Sequence, residues 1–245
     1  MTARFLPAGL LLAASLSAAR IAEVTTIRPE AIVDLRTAEG VRLVKAQWRY
    51  SDAKVVEVDF RAPGPDRKPT GRPIKTLETQ PRAGVADFDD SRWEIISPTS
   101  LEDRRSPGRL SFNWYRFKVT VPEKVGNFDP AGSTLVFETV VDDYAEIYVN
   151  GNLPLVIGSA GGQFIKGWNS PNRVVLTRDA RPGQTFQIAM FCANGPLSDP
   201  PMNYIWVRSA TLDFYRPERL TTPAKVLRVD PKIDEIVPPI GRAHV

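Results

Sequence analysis

Cysteine and histidine are nearly missing from this chain of 245 residues, which has one of each. A lone Cys192 excludes an intrachain disulfide, so stability must come from a hydrophobic core. Cys192 sits in the apolar run 186–192, the setting of a buried, inert thiol rather than a nucleophile. His244 stands beside the C-terminal residue, which excludes a histidine-based triad or a multi-histidine metal site within an ordered core. Helical apolar periodicity of useful length is absent outside the N-terminus, and no later run approaches the ~20 apolar residues of a spanning helix. Charge of one sign is also scarce: 32 Lys and Arg stand against 28 Asp and Glu, for a formal charge of +4 and a pI near 9.3. The basic residues are spread out and interrupted by acids. They form a mildly basic solvated surface, and no nucleic-acid partner is expected.

The N-terminus carries the clearest local signal. Residues 1–19 (MTARFLPAGLLLAASLSAA) place one arginine near the start, then an apolar stretch, then small residues. Ser17-Ala18-Ala19 fits the small-x-small rule, so a signal peptide cleaved after Ala19 is expected, with a secreted or periplasmic destination and no membrane association after cleavage. Loss of Arg4 with the leader lowers the formal charge from +4 to +3.

The 22 prolines cluster between apolar runs, which favours short strands joined by turns. In 54–60, Val56, Val58 and Phe60 alternate with polar residues. Residues 61–86, with Pro63, Pro65, Pro69, Pro73 and Pro81, are expected to form a long Pro-rich surface excursion that holds no sheet ladder. Run 114–121 (WYRFKVTV) places Tyr115, Phe117, Val119 and Val121 on one face and Arg116, Lys118 and Thr120 on the other. Run 135–141 aligns Leu135, Phe137, Thr139 and Val141. Run 145–149 follows and ends at Asn150-Gly151, the residue pair of a type I′ hairpin turn, with 153–157 as the return strand. Further strands are expected at 173–176, at 185–191 after the turn Arg181-Pro182-Gly183, and at 206–215. In the last, strict alternation sets Trp206, Arg208, Ala210, Leu212 and Phe214 on one face. The pattern is that of an all-β sandwich occupying 20–215, followed by a Pro-rich linker at 216–245.

Few residues here support chemistry. Adjacent strand residues point to opposite faces, so Asp142 and Asp143 cannot flank one bond unless the chain turns there. They read as turn residues whose carboxylates cap backbone N–H groups, with calcium held by these acids and carbonyls as the alternative. No other cofactor is implied, and no catalytic residue is assigned. The glycine-rich 158–162 lacks the lysine and helix of a phosphate loop. Trp93 and Trp114 read as core or edge aromatics. Loop 194–206 (NGPLSDPPMNYIW) combines Asp199, Asn203, Tyr204 and Trp206, residue types that suit either a sugar or a domain–domain contact.

Phe88-Asp89-Asp90-Ser91-Arg92-Trp93 resembles the FDDSxW opening of the sugar-binding domain of family 2 glycoside hydrolases. Trp114-Tyr115-Arg116 with Val119-Thr120-Val121-Pro122 resembles that domain's next strand, and 141–151 resembles its hairpin ending in Asn-Gly. Gly161-Gly162, Arg181-Pro182-Gly183 and 205–208 follow in the same order, so the resemblance covers roughly 86–215. It implies a galactose-binding-domain-like jelly roll. The wording is also similar to the N-terminal domain of secreted bacterial gluconolactonase-like (regucalcin-type) proteins, in which a calcium-dependent β-propeller follows; 226–231 resembles the lead-in to it. The resemblance implies a carbohydrate-binding or accessory module whose partner is a carbohydrate or a β-propeller catalytic domain. A lactonase or glycosidase, and a purely structural interaction domain, are the alternatives.

Overall fold

The computed structural model describes residues 28–108, 110–153, 171–195 and 203–216. In chain order they form β1 (Ala31–Asp34), α1 (Ala38–Leu43), β2 (Arg49–Arg61), β3 (Pro73–Gln80), β4 (Glu94–Ile95), a 3-10 turn (Pro98–Glu102), β5 (Arg105–Gly108), β6 (Ser111–Thr120), β7 (Thr134–Asp142), β8 (Tyr144–Val149), β9 (Asn172–Thr177), β10 (Thr185–Asn194) and β11 (Asn203–Tyr215). One sheet runs β1-β11-β7-β9 with β5 beside β11. The other runs β3-β2-β6-β10-β8 with β4 beside β2. From β6 to β11 each successive strand enters the opposite sheet, the alternation of a jelly roll, and the protein is an all-β sandwich.

Alternation explains the core. Tyr115, Phe117 and Val119 of β6 face Leu135, Phe137 and Val141 of β7, and all are buried with Ile188, Met190, Leu212 and Phe214. Trp48 packs tilted against Phe117 at 3.9 Å between centroids and donates its Nε1–H to the Leu35 carbonyl at 3.0 Å. Thr139 shares the inward row of β7, and its hydroxyl is satisfied by the Ser209 carbonyl at 2.8 Å. Cys192 is buried here too, and desolvation pushes its thiol well above the ordinary range.

Asn150 and Gly151 both adopt positive φ (48° and 81°), while Val149 and Asn152 exchange backbone hydrogen bonds of 2.8 and 3.0 Å. This is the two-residue primed turn that the sequence announces. The expected return strand lies outside the described residues beyond Leu153, as do the expected leader at 1–19, the glycine-rich 158–162, and the tail after Arg216.

Two expectations are corrected. First, residues 61–86 do hold a ladder: β3 pairs antiparallel with β2 from Lys54↔Gln80 to Arg61↔Pro73. The prolines do not interfere, because Pro73 opens the strand and Pro81 follows it while Pro63, Pro65 and Pro69 stay in the connection. Arg116 does lie on the face opposite Tyr115, as the alternation sets it, and is only 1% exposed there. Second, β11 does not alternate strictly. Its register against β7 shifts between Val207 (opposite Val141) and Ser209 (opposite Val140). Arg208 is the extra residue of a β-bulge, so Ile205 and Val207 join Ala210, Leu212 and Phe214 in the core. Trp206 therefore moves to the opposite face. The short helix α1, capped by the Thr37 hydroxyl on Gly40 N–H at 2.9 Å, is too brief to show as a periodicity.

Candidate functional site

The outer face of the β2-β6-β10 sheet carries the segment with the first motif. Arg116 donates Nε–H to Asp90 Oδ2 at 2.9 Å and Nη1–H to the carbonyls of Ala83 and, at 3.0 Å, Val85. Under this segment Trp114, Ala83 and Ala189 are buried, flanked by Phe88, Trp93, Tyr148 and Phe191. Trp114 donates Nε1–H to the Pro81 carbonyl at 2.9 Å, and Phe88 and Trp93 pack at 5.3 Å. The tryptophans of both motifs are therefore packing residues, as expected. A buried guanidinium satisfied by loop carbonyls fixes a loop; it is not placed to meet a ligand.

One end of the sandwich gathers polar side chains instead. The Tyr50 hydroxyl donates to Asp52 Oδ1 at 2.5 Å and lies 3.1 Å from Ser106 Oγ, which accepts from Asn113 Nδ2 at 3.0 Å. Burial, and next the bond to the Asp52 carboxylate, push Tyr50 up to about 12. A shallow groove of about 440 Å³ opens here, lined by Asp52, Ser106 and Ser111 together with Leu110 and Phe112. At the same end Asn194 Nδ2 donates to the Gly108 carbonyl at 2.7 Å, and Asp143 Oδ2 accepts from Gly195 N–H at 2.6 Å. Asp143 caps a backbone N–H, the role read from sequence. Asp142 closes β7 beside it, also buried. Among the described residues no group of three His, Cys, Asp or Glu side chains could hold a metal ion, and Glu138 is instead bonded to Arg173 Nε at 2.9 Å.

Of the four residues singled out in loop 194–206, Asp199 lies outside the described residues. Asn203 opens β11 opposite Gly108. Tyr204 and Trp206, two apart on a strand, share its outward face and are half-buried. Trp206 stands opposite Asp142 in the β7–β11 register. Arg104, exposed and just before β5, lies over both rings, 5.8 Å from the Tyr204 centroid and 5.0 Å from that of Trp206. Sequence reading missed Arg104, because nothing in residues 98–104 marks a partner a hundred positions away. It also missed Tyr50, Asp52 and Ser106, which meet only through the β2–β6 and β5–β11 pairings. β5 has one residue more than β11 between its two paired positions, and Ser106 in that stretch has a φ of 49°.

No family model and no curated protein matches the chain. Among solved structures it is similar to a β-glucuronidase of Faecalibacterium prausnitzii, at 18% identity and a TM-score of 0.37, over 78% of this chain and 32% of that one. A β-glucuronidase of an uncultured Clostridium species follows at 15% identity and 0.30, over 70% and 30%. A GH31 α-xylosidase of Xanthomonas citri stands at 12% and 0.26, over 76% and 18%. The chain thus spans about a third or less of these proteins' length.

Proposed function

We propose that this chain is a carbohydrate-binding or accessory module, without catalytic activity of its own, of a secreted or periplasmic sugar- or lactone-processing protein. The observation that supports it is the Arg104–Tyr204–Trp206 stack at the loop end of the sandwich. Aromatic rings offer the apolar faces on which pyranose C–H groups settle, and an exposed guanidinium adds a fork of donors for hydroxyl or carboxylate oxygens. In sequence, Asn203 and Asp199 lie close to Tyr204 and Trp206 and are of the amide and carboxylate types that sugar hydroxyls require. The carboxylates at this end are engaged: Asp143 holds Gly195, and Asp52 holds Tyr50, which suits scaffolding rather than proton transfer. Residues 1–19 are a cleaved leader and 216–245 a linker toward a catalytic partner such as a β-propeller.

Calorimetric titration of the purified protein with neutral sugars, acidic sugars and aldonolactones tests this reading. Trp206→Ala and Arg104→Ala should each weaken binding about tenfold, equivalent to about 1.4 kcal/mol, with the unfolding midpoint little changed. Turnover of an aldonolactone or aryl glycoside that disappears in Asp142→Asn or Asp143→Asn would replace the module by an enzyme.

A further inference from the structure

The β2–β3 hairpin runs past the body of the sandwich. Pairing of β2 with β6 ends at Ala53 and with β4 at Tyr50, whereas pairing with β3 continues to Arg61↔Pro73. Among the described residues, 54–61 and 73–80 are therefore a two-stranded arm, and β3 is the terminal strand of its sheet. Such ribbons are marginal alone, and a long edge strand presents a row of backbone groups ready to pair. This edge is weakly guarded. Its one proline within the strand is the first residue, and at its centre stands Leu77, 67% exposed, diagonal to Val55, 43% exposed, on the same face.

We propose that β3 pairs antiparallel with β3 of a second copy about a two-fold axis centred on Leu77, making one continuous β2-β3-β3-β2 sheet across a dimer. The occupant is a second copy because the edge is complementary to itself. With Leu77 facing Leu77, Lys75 stands opposite Thr79, Thr76 opposite Glu78, and Ile74 opposite Gln80, so no like charges oppose each other. The two charges on the strand are already neutralised within the arm. Lys75 Nζ lies 2.6 Å from Asp59, and Glu78 is ion-paired with Arg82. Both partners' Leu77 and Val55 side chains then cover one another on one face of the joined sheet.

Sedimentation of the full chain across a wide concentration range should show reversible dimers. Leu77→Lys keeps the arm, since residue 77 pairs with Glu57 on β2, but sets two ammonium groups against each other at the axis. It should raise the dimer dissociation constant about tenfold or more with an unchanged circular-dichroism spectrum. Leu77→Cys should form a disulfide-linked dimer on mild oxidation, whereas Leu110→Cys, also exposed (54%) but off the arm, should not; Cys192 is buried and does not compete. A protein monomeric at every concentration, a dimer indifferent to Leu77→Lys, or equal cross-linking from Leu110→Cys would overturn the proposal. Capture of an unlike strand in place of a second copy would do so as well.

Discussion

Arg49 and Arg116 stand directly opposite each other on β2 and β6, two guanidinium groups in a position where like charges repel. Asp90 resolves the conflict. Its Oδ2 accepts from Arg116 Nε at 2.9 Å, and its Oδ1 lies 3.6 Å from Arg49 Nε. The aspartate of the first sequence motif is thus the counter-ion that lets the arginine of the second be buried. Asp90→Asn should cost about 2–3 kcal/mol, because it leaves a buried charge without its partner. Adding Arg49→Met should restore part of that loss by removing the opposed charge. Urea unfolding of the two variants checks both statements, and a double variant no more stable than Asp90→Asn alone would remove Asp90 from this role.

The primed turn gives a second prediction. Gly151 has a φ of 81°, and a Cβ there would lie 2.8 Å from the backbone N of Ala86, in the segment that Arg116 holds. Gly151→Ala therefore combines left-handed strain with a backbone clash and should lose about 2–3 kcal/mol. Asn150→Ala forfeits the bond from Gln187 N–H to its Oδ1 (2.8 Å) as well as tolerance of positive φ, for about 1–2 kcal/mol. Asn150→Gly should be milder. Thermal unfolding of the three variants ranks them.

Much of this was legible from residue alternation. Leu135, Phe137, Thr139 and Val141 form a buried row, and Asn150-Gly151 could hardly be other than a turn. Period two fails where the chain breaks it. Nothing local tells Arg208 from any other residue of its strand, and one uncounted bulge residue moves Trp206 off the face of Ala210, Leu212 and Phe214. β3 is hidden when prolines are counted rather than placed, since Pro73 opens the ladder and the others lie outside it. The burial of Arg116 is not legible from its polar neighbours Lys118 and Thr120, because its partners lie 26 to 33 residues upstream. The candidate site depended on this long-range kind of information. Tyr204 and Trp206 were visible as residue types, whereas Arg104, which joins them, was not.

Alkaline pH should unfold the protein through its tyrosines. Burial pushes Tyr50 and Tyr148 up to about 12 and raises Tyr115 well above its ordinary value. For a group whose folded value is raised, the stabilising contribution is complete below the unfolded value and disappears as pH climbs toward the folded one. Stability should therefore hold up to about pH 10 as far as the tyrosines decide it and decline between 10 and 12. The buried Cys192 thiol adds a loss that begins near pH 9, its unfolded value. Denaturation midpoints across this window, with tyrosinate absorbance followed alongside, are the measurement. Tyr50→Phe should flatten the decline, and an equally steep fall in that variant would assign it to other groups.

The bulge in β11 supports the most exacting test. Deleting a residue from a core strand ordinarily turns every side chain on one side of the deletion to the wrong face. Arg208 is different, because Val207 and Ser209 already face neighbouring residues, Val141 and Val140, on β7. Removing it converts the bulge to a regular ladder and leaves Ile205, Val207, Ala210, Leu212 and Phe214 inward, with Tyr204 and Trp206 outward. The deletion of Arg208 should therefore fold and unfold cooperatively, within about 1–2 kcal/mol of the parent, since one exposed side chain and one irregularity are lost. Deletion of Thr211, three residues on, should abolish the fold. Because bulges sharpen local twist, the Arg208 deletion should still shift Tyr204 and Trp206 relative to Arg104, so sugar affinity falls while the sandwich survives. If both deletions unfold the chain alike, the bulge is not the element that sets the face of Trp206, and the placement of the candidate site on the outer face fails with it.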